Sequence, residues 1–337
     1  VIRLMKPITI KDIARELSIS VSTVSRALQN HPDISKRTKQ LVQECAHRLN
    51  YKPNLMASNL RTCRNTTIGV VIPELNHHFF SSVLDGIEQT ANEAGYQILI
   101  CQTGEDVQKE KQAVQTLIAS RVAGMLVGVS KQTTDLFHLN EVLDSAIPLV
   151  LYDRPCPSLK CDQVVSDDYR GAYNAVEYLI QTGCRRVLCF TSAMQLEVSR
   201  RRYQGWRDAL QNYGMPIHSD MVIECDARLQ AIIEAPRILQ AENRPDAIFC
   251  VNDDCAAGVL HAAKILGMKI PDELSICGFS DAPICKATMP MLTTVQQHGI
   301  DIGRRAMVRL LNRLDKEDKI PQTEMVPTDL IVRETTR

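Results

Sequence analysis

Apolar positions recur at helical spacing in the first fifty residues and in strand-length runs after them. Ile10, Ile13, Ala14 and Leu17 form one stripe, and Val24, Ala27 and Leu28 a second. Thr9 with Asp12 resembles a capping box at the start of the first helix, and Ser20 can cap the second. The link between them, Ser18–Ile19, is short enough for a helix-turn-helix. A third helix is expected behind Ser35, with Leu41, Val42, Cys45 and Leu49 as its buried face. From Thr67 the pattern changes to apolar runs: IGVVI (68–72), YQILICQ (96–102), GMLVGV (124–129), IPLVLYD (147–153), RVLCFTS (186–192), MVIEC (221–225), AIFCVND (247–253) and LSICGFS (274–280). Amphipathic stretches such as Phe79–Glu93 and Glu110–Ser120 separate most of them. Strands alternating with helices predict parallel sheets covered on both faces, and near-continuous apolarity predicts burial of both sides. The fold class is therefore α/β: an N-terminal all-α helix-turn-helix head and a core of doubly wound parallel sheets. There are too many units for one ordinary sheet, so two lobes are expected, near 67–165 and near 166–290. The rest, with a helix over His298–Leu314 and extended pieces, should cross back between them.

The second helix raises a chemical question. Its polar face carries Ser22, Ser25 and Arg26, where a solvent-facing helix more commonly carries Glu and Lys. In a helix-turn-helix the second helix enters the major groove, and its early residues meet base edges. Small side chains allow close approach, and an arginine can pair bidentately with guanine. Charge changes the picture further. The whole chain is neutral, with 39 basic and 39 acidic residues, yet residues 1–66 hold 12 Lys and Arg against 4 Asp and Glu. A basic head on an acidic body is the footprint expected of phosphate binding.

Composition bounds the rest. A chain of 337 residues accommodates two or three domains. No apolar run approaches the ~20 residues of a membrane span, and VIRLMKPITI lacks the apolar region of a signal peptide, so no membrane association and a cytoplasmic location are expected. The twelve cysteines fall mostly in apolar runs, as in Cys101, Cys189, Cys250 and Cys277, without CxxC pairs or zinc spacing. They read as small buried hydrophobes; no metal and no cofactor are expected.

Two doubly wound lobes leave a cleft facing the carboxyl ends of their strands, where ligands bind in such folds. Asp153, Arg154, Asn252, Asp253, Ser280 and Asp281 stand at those ends, and Arg200, Arg201 and Arg202 open a helix beside Trp206. Asn, Asp and Arg together suit a polyhydroxylated or anionic small molecule. For each single residue a capping or turn role is the alternative, above all for Asp253.

Longer stretches then carry a resemblance over almost the whole chain. They are TIKDIARELSISVSTVSRAL (9–28), LNYKPNLMASNLRT (49–62), TTIGVVIPELNHHFF (66–80), VSDDYRGAYNAVEYLI (165–180), GCRRVLCF (183–190), DAIFCVNDDCAAG (246–258), PDELSICGFSD (271–281) and PMLTTVQQ (290–297). In this order and spacing the chain resembles a LacI/GalR-family transcription regulator. The resemblance implies a helix-turn-helix domain over 6–52, a hinge helix and linker over 53–66, and a periplasmic-binding-protein-like effector-binding and dimerisation core over 67–337. The first lobe would take about 67–165 plus 294–325, the second about 166–293 plus the C-terminal strands. It implies a homodimer, with a tetramer still open, on a palindromic double-stranded operator. Val21 and Ser22 would set operator sequence, and Arg26 would contact a base. Thr9, Ser20, Thr23, Ser25, Ser35 and Thr38 would meet phosphates. Asn54 would open the hinge helix, Met56 and Ala57 would face the partner's hinge, and Leu60 would wedge into the minor groove. PNLMASNL is about two turns long, marginal as an isolated helix, so it would order only on DNA.

For the effector, most simply a sugar or sugar derivative, the resemblance points to Phe79, Phe80, Asp153, Arg202, Asn252 and Ser280. Two positions depart from the family's pattern. Ser280 stands where many members have an Asp, which leaves open an acidic or phosphorylated ligand or a grip elsewhere. Ser18 replaces a turn glycine. Two other readings stay open: a regulator governed by a protein partner or a purine-like corepressor, and a sugar-kinase-like enzyme carrying a DNA-binding head. The enzyme reading lacks support in motifs, because no GxxxxGK[ST], GxGxxG after a strand, GxSxG or HExxH occurs.

Overall fold

The computed structural model describes residues 8–51, 65–315 and 320–337. They divide into two units, one ending at Asn65 and the other beginning at Thr66. The first is a three-helix head: α1 (Ile10–Glu16), α2 (Val21–Leu28) and α3 (Lys36–Arg48). The Asp12 carboxylate accepts from both the backbone N–H and the hydroxyl of Thr9 and closes the start of α1. Ser20 Oγ accepts from Thr23 N at 3.0 Å, and Ser35 Oγ from Thr38 N at 3.2 Å. Ile13, Ala14, Val24, Ala27, Val42, Cys45 and Ala46 form the core. Ser18 sits in the turn at φ 52, the left-handed region that favours glycine, so serine there costs on the order of 1 kcal/mol.

Two expectations for the head need correction. Leu41 is 48% exposed; the inward stripe of α3 is Val42, Cys45 and Ala46, with Leu49 half-buried behind it. The stripe therefore starts one residue, or about 100° of helix, after Leu41. Ser25 is only 8% exposed, so it does not belong to the outward face of α2. Ser22 and Arg26 remain outside.

The second unit holds two six-stranded sheets. The first contains β1 (Thr67–Ile72), β2 (Gln97–Gln102), β3 (Gly124–Val127), β4 (Leu149–Tyr152), β5 (Asp162–Ser166) and β11 (Thr323–Val326), in the order β11-β5-β4-β3-β1-β2. All of its pairings are parallel. The second contains β6 (Val187–Thr191), β7 (Val222–Glu224), β8 (Ala247–Cys250), β9 (Ser275–Ser280), β10 (Thr293–Gln296) and β12 (Asp329–Ile331), in the order β12-β10-β9-β8-β6-β7. Only β12 runs antiparallel there. Both lobes thus repeat one winding, and in each the chain leaves its first strand in opposite directions, opening a crevice at the strands' carboxyl ends.

The helices of this unit are α4 (His78–Glu93), α5 (Val107–Ala119), α6 (Phe137–Asp144), α7 (Asp168–Gln181), α8 (Glu197–Asn212), α9 (Arg228–Leu239), α10 (Asp253–Ile265), α11 (Ile284–Ala287) and α12 (Gly299–Leu314). Cores of aliphatic side chains fill each lobe, with Trp206 fully buried in the second. The chain passes between the sheets after β5, after β10 and after β11. Residues 294–296 belong to the second sheet, so the return to the first lobe comes a few residues later than expected. Strand β5 was not among the apolar runs, because Asp162, Gln163 and Ser166 interrupt it. Each of these is buried and satisfied: Asp162 by Gln322 N and Arg313, Gln163 by the Cys156 backbone, and Ser166 by Gln297. The expectation of strands buried on both faces fails for β2, whose Leu99 and Ile100 are exposed because β2 is an edge strand.

Candidate functional site

Two surfaces carry chemistry. On the head, the first turn of α2 presents Val21 and Ser22, and the next presents Arg26, all exposed. Val24 and Ala27 anchor the same helix from behind. Thr9, Ser20 and Ser35 are exposed at the three helix N-termini, with Thr23 and Thr38 half-covered beside the latter two. This is a rigid face with short hydroxyls, one guanidinium and helix N-termini that favour anions. Asn54, Met56, Ala57 and Leu60 lie outside the described residues.

The core carries a cleft of about 270 Å³ between its lobes. Phe79, Phe80, Asp153, Arg202, Asn252 and Ser280 all line it. So do Glu74, His77, Glu105, Lys131, Arg154, Asp226 and Gln297, which the sequence reading either did not single out or, for Arg154, named only as a strand-end residue.

Each cation in the cleft has its own carboxylate. Arg202 on α8 reaches Asp168 on α7 through Nε at 2.7 Å and also donates to the Val251 carbonyl. Its guanidinium lies 3.7 Å from the Phe279 ring centroid. Close helix approach makes this geometry possible: a Cβ on Gly205 would lie 2.4 Å from the Tyr169 carbonyl oxygen. Arg154 grips Glu105 with two bonds of 2.8 Å, donates to Val129 O at 2.6 Å and lies over Phe80. Burial works to raise the Glu105 pKa, but the hydrogen bonds and charge of Arg154 outweigh it and hold the carboxyl below its usual range. Lys131 Nζ, from the first lobe, meets Asp226 Oδ2 of the second at 2.8 Å. The cleft is thus spanned by an ion pair between its two walls.

Asp153 differs from these. It is 6% exposed and its nearest cation, Arg154 Nε, is 3.7 Å away. Burial, with help from Asp168 and Glu105, pushes its carboxyl up to about 7. Both strand-end residues Asp153 and Ser280 take positive φ, 68 and 126. Such backbone costs of order 1–3 kcal/mol per residue and collects at ligand sites.

Asn252 caps α10: its Oδ1 accepts from Cys255 N at 2.8 Å while its Nδ2 donates to Asp226 O at 2.7 Å. Asp253 is neither cap nor cleft residue. It accepts from Ala282 N and Thr294 Oγ1 and ties a loop to β10. Ser280 Oγ donates to Gln297 Oε1 at 2.9 Å, and Gln297 Nε2 donates to Ser166 Oγ at 3.0 Å, so this serine is held by neutral partners. Arg200 and Arg201 pair with Glu197 and do not line the cleft.

Comparison with known proteins decides the family. Residues 9–54 match the family model for bacterial regulatory proteins, lacI family, and residues 176–336 match that of a periplasmic binding protein-like domain. The HTH-type transcriptional repressor PurR of Vibrio parahaemolyticus is 32% identical, with 98% of each chain covered. The regulator DegA of Bacillus subtilis is 33% identical over 97% of this chain and 98% of its own. The chain belongs to the LacI family. It is a DNA-binding transcriptional regulator with an effector-binding core, and its relatives are regulators rather than enzymes. The fold of this LacI-family chain also matches that of the lac repressor dimer bound to operator and the anti-inducer ONPF, with a TM-score of 0.88, 24% identity, and 98% and 99% of the two chains covered. Among the described residues, no helix is long and apolar enough to cross a membrane, and no group of three His, Cys, Asp or Glu could hold a metal ion.

Proposed function

We propose that this regulator is a repressor that holds a palindromic operator as a homodimer and releases or grips it according to a small molecule seated between the core lobes. The observation that carries the proposal is the division of labour on α2. Val24 and Ala27 fix the helix from behind, while Val21, Ser22 and Arg26 stand exposed at the start where base edges are met. PurR and CytR, both similar over nearly the whole chain, are repressors by name. In this reading Arg26 reads a guanine, Val21 and Ser22 set the neighbouring positions, and the hydroxyls of Thr9, Ser20, Thr23, Ser35 and Thr38 fix register on phosphates. Ser25, 8% exposed, is set back from these hydroxyls.

A second copy has an apolar surface to meet. Leu229 and Ile233, one turn apart on α9, are 74% and 73% exposed, and Leu99 and Ile100 stand on the outer strand β2. Exposed apolar patches of this kind mark association surfaces. Phe79, Phe80, Asp153, Arg202, Asn252 and Ser280 would line the effector's seat. Occupancy alters the spacing of the two lobes and thereby the pairing of heads, a coupling typically worth ~1–3 kcal/mol. Selection of DNA from a random pool by the full chain tests the reading: enrichment of an inverted repeat is expected, and its absence sinks it.

A further inference from the structure

We propose that Lys131 and Asp226 form a latch that sets how readily the two lobes part, and that Glu110, with His138, is the positioning residue that presents Lys131 to the second lobe. The regulatory half of this rests on the reading of the chain as a repressor switched through its core.

A carboxylate interrupts the packed stripe of α5. The inward face of that helix carries Glu110, Val114 and Leu117, at i, i+4 and i+7, so Glu110 fills a place where an aliphatic side chain would continue the stripe. It is fully buried, and His138 at the start of α6 is 2% exposed. A buried charge is costly, and well-packed apolar replacements are often no less stable, so stability does not account for it. Its hydrogen bonds do. Glu110 accepts from His138 Nε2 at 2.8 Å, Ser130 N at 2.5 Å and Thr133 Oγ1 at 2.9 Å. Burial works to raise the Glu110 carboxyl, and these bonds outweigh it and hold it below its usual range. An ionised carboxylate only accepts, so the imidazole is the donor.

Ser130 and Thr133 flank Lys131 in the loop between β3 and α6. Lys131 N itself donates to Glu105 Oε2 at 2.6 Å, and Glu105 is clamped by Arg154. The backbone at Lys131 is thus held from two sides, and its Nζ crosses to Asp226 Oδ2 at 2.8 Å. The receiving side is fixed as well. Cys225 N donates to Thr191 O at 2.7 Å, and Asp226 O accepts from Asn252 Nδ2 at 2.7 Å. The side chains of Lys131 and Asp226 are 39% and 25% exposed. A pair so exposed ordinarily contributes little, because ordering its side chains offsets the attraction. Here the backbone on each side is ordered before the charges meet, which lowers that cost. Any movement that parts the lobes must break this contact, so its strength enters the balance between the two states of the core.

Zero-length carbodiimide coupling reads the latch directly, because it joins an ammonium to a carboxylate only where the two touch. Peptides from the treated full chain should contain a Lys131–Asp226 amide. Glu110→Leu combined with His138→Leu fills the buried space and leaves neither polar partner behind. In that chain the amide should fall on the order of 5-fold or more while circular dichroism shows a folded core. Thr133→Val, which removes one bond to Glu110 without disturbing packing, should lower it in the same direction, and Glu110→Gln, which keeps an acceptor for Ser130 N, should retain most of it. No amide in the parent, or full yield in both the leucine and valine variants, overturns the proposal and leaves the repressor reading untouched. On the selected operator, Lys131→Glu should shift affinity on the order of 5-fold or more by gel shift, and adding Asp226→Lys should bring it back. Unchanged affinity, or a charge swap that restores nothing, overturns the latch as part of the switch. A parent that selects no DNA sinks the repressor reading and the regulatory half with it, while the crosslink still decides the latch itself.

Discussion

Replacing Asp153 by Asn should stabilise the protein near neutral pH while costing it the effector. An Asp side chain ionises near 3.8 in an open chain, and burial moves Asp153 to about 7. As pH rises from 4 toward 7, the unfolded chain gives up this proton first and the folded chain keeps it. Stability therefore falls across that window, by about 4 kcal/mol once pH exceeds 7, at about 1.4 kcal/mol per pKa unit. Below the unfolded pKa the penalty is absent. Asp253, raised to about 6, and Asp168, also raised, act in the same direction, so the parent alone cannot isolate the effect. The difference between parent and Asp153→Asn can. Trp206, the single tryptophan and fully buried in the second lobe, reports core unfolding by fluorescence in urea. The variant's advantage should be small near about pH 4 and grow to several kcal/mol by about pH 8. Parallel pH profiles for the two proteins, or a variant less stable than the parent at the alkaline end, would refute the reasoning.

Further outcomes test other parts. Arg26→Ala should cost ~1–3 kcal/mol on the selected operator and little on unrelated DNA at the same salt, measured by gel shift; equal losses on both would remove its base-reading role. Arg202→Ala leaves Asp168 buried without its counter-charge and should lower core stability by about 3–5 kcal/mol in urea, with Asp168→Asn in the same chain restoring part of it; unaltered stability contradicts the pairing. Ile233→Asp places a carboxylate on the α9 surface and should weaken self-association on the order of 100-fold. An unchanged sedimentation profile would put the dimer contact elsewhere.

Much of the fold was legible because local signals and burial agreed. Ser20 and Ser35 are caps in sequence and in space, and the eight apolar runs mark strands whose faces are mostly buried. Strand β5 was hidden because its polar ends are satisfied by residues as distant as Gln297 and Gln322, partners that no local window contains. Ser25 and Leu41 were misjudged for a related reason. On a short helix one residue's rotation decides which side faces in, and serine's small size lets it pack where its polarity suggests exposure.

The cleft was half visible. Asp153, Asn252 and Ser280 end strands, and strand ends are identifiable from the runs before them. Lys131 and Asp226 lie 95 residues apart and meet only because two lobes close on each other. Glu105 carries no motif; its role follows from Arg154 reaching it across the first lobe. The charge balance of the site, which decides what it can hold, is therefore a tertiary property. Residue types alone do not give that pairing.

The central claim, that α2 reads duplex sequence, is tested most directly by a footprint. The full chain is incubated with its selected DNA, alongside a variant carrying Val21→Ala, Ser22→Ala and Arg26→Ala together, and both are mapped by hydroxyl-radical cleavage and base-methylation interference. The account predicts symmetric protection in two half-sites, with guanine interference in each that disappears in the variant. Protection without any guanine interference, or an identical pattern from both proteins, would contradict it.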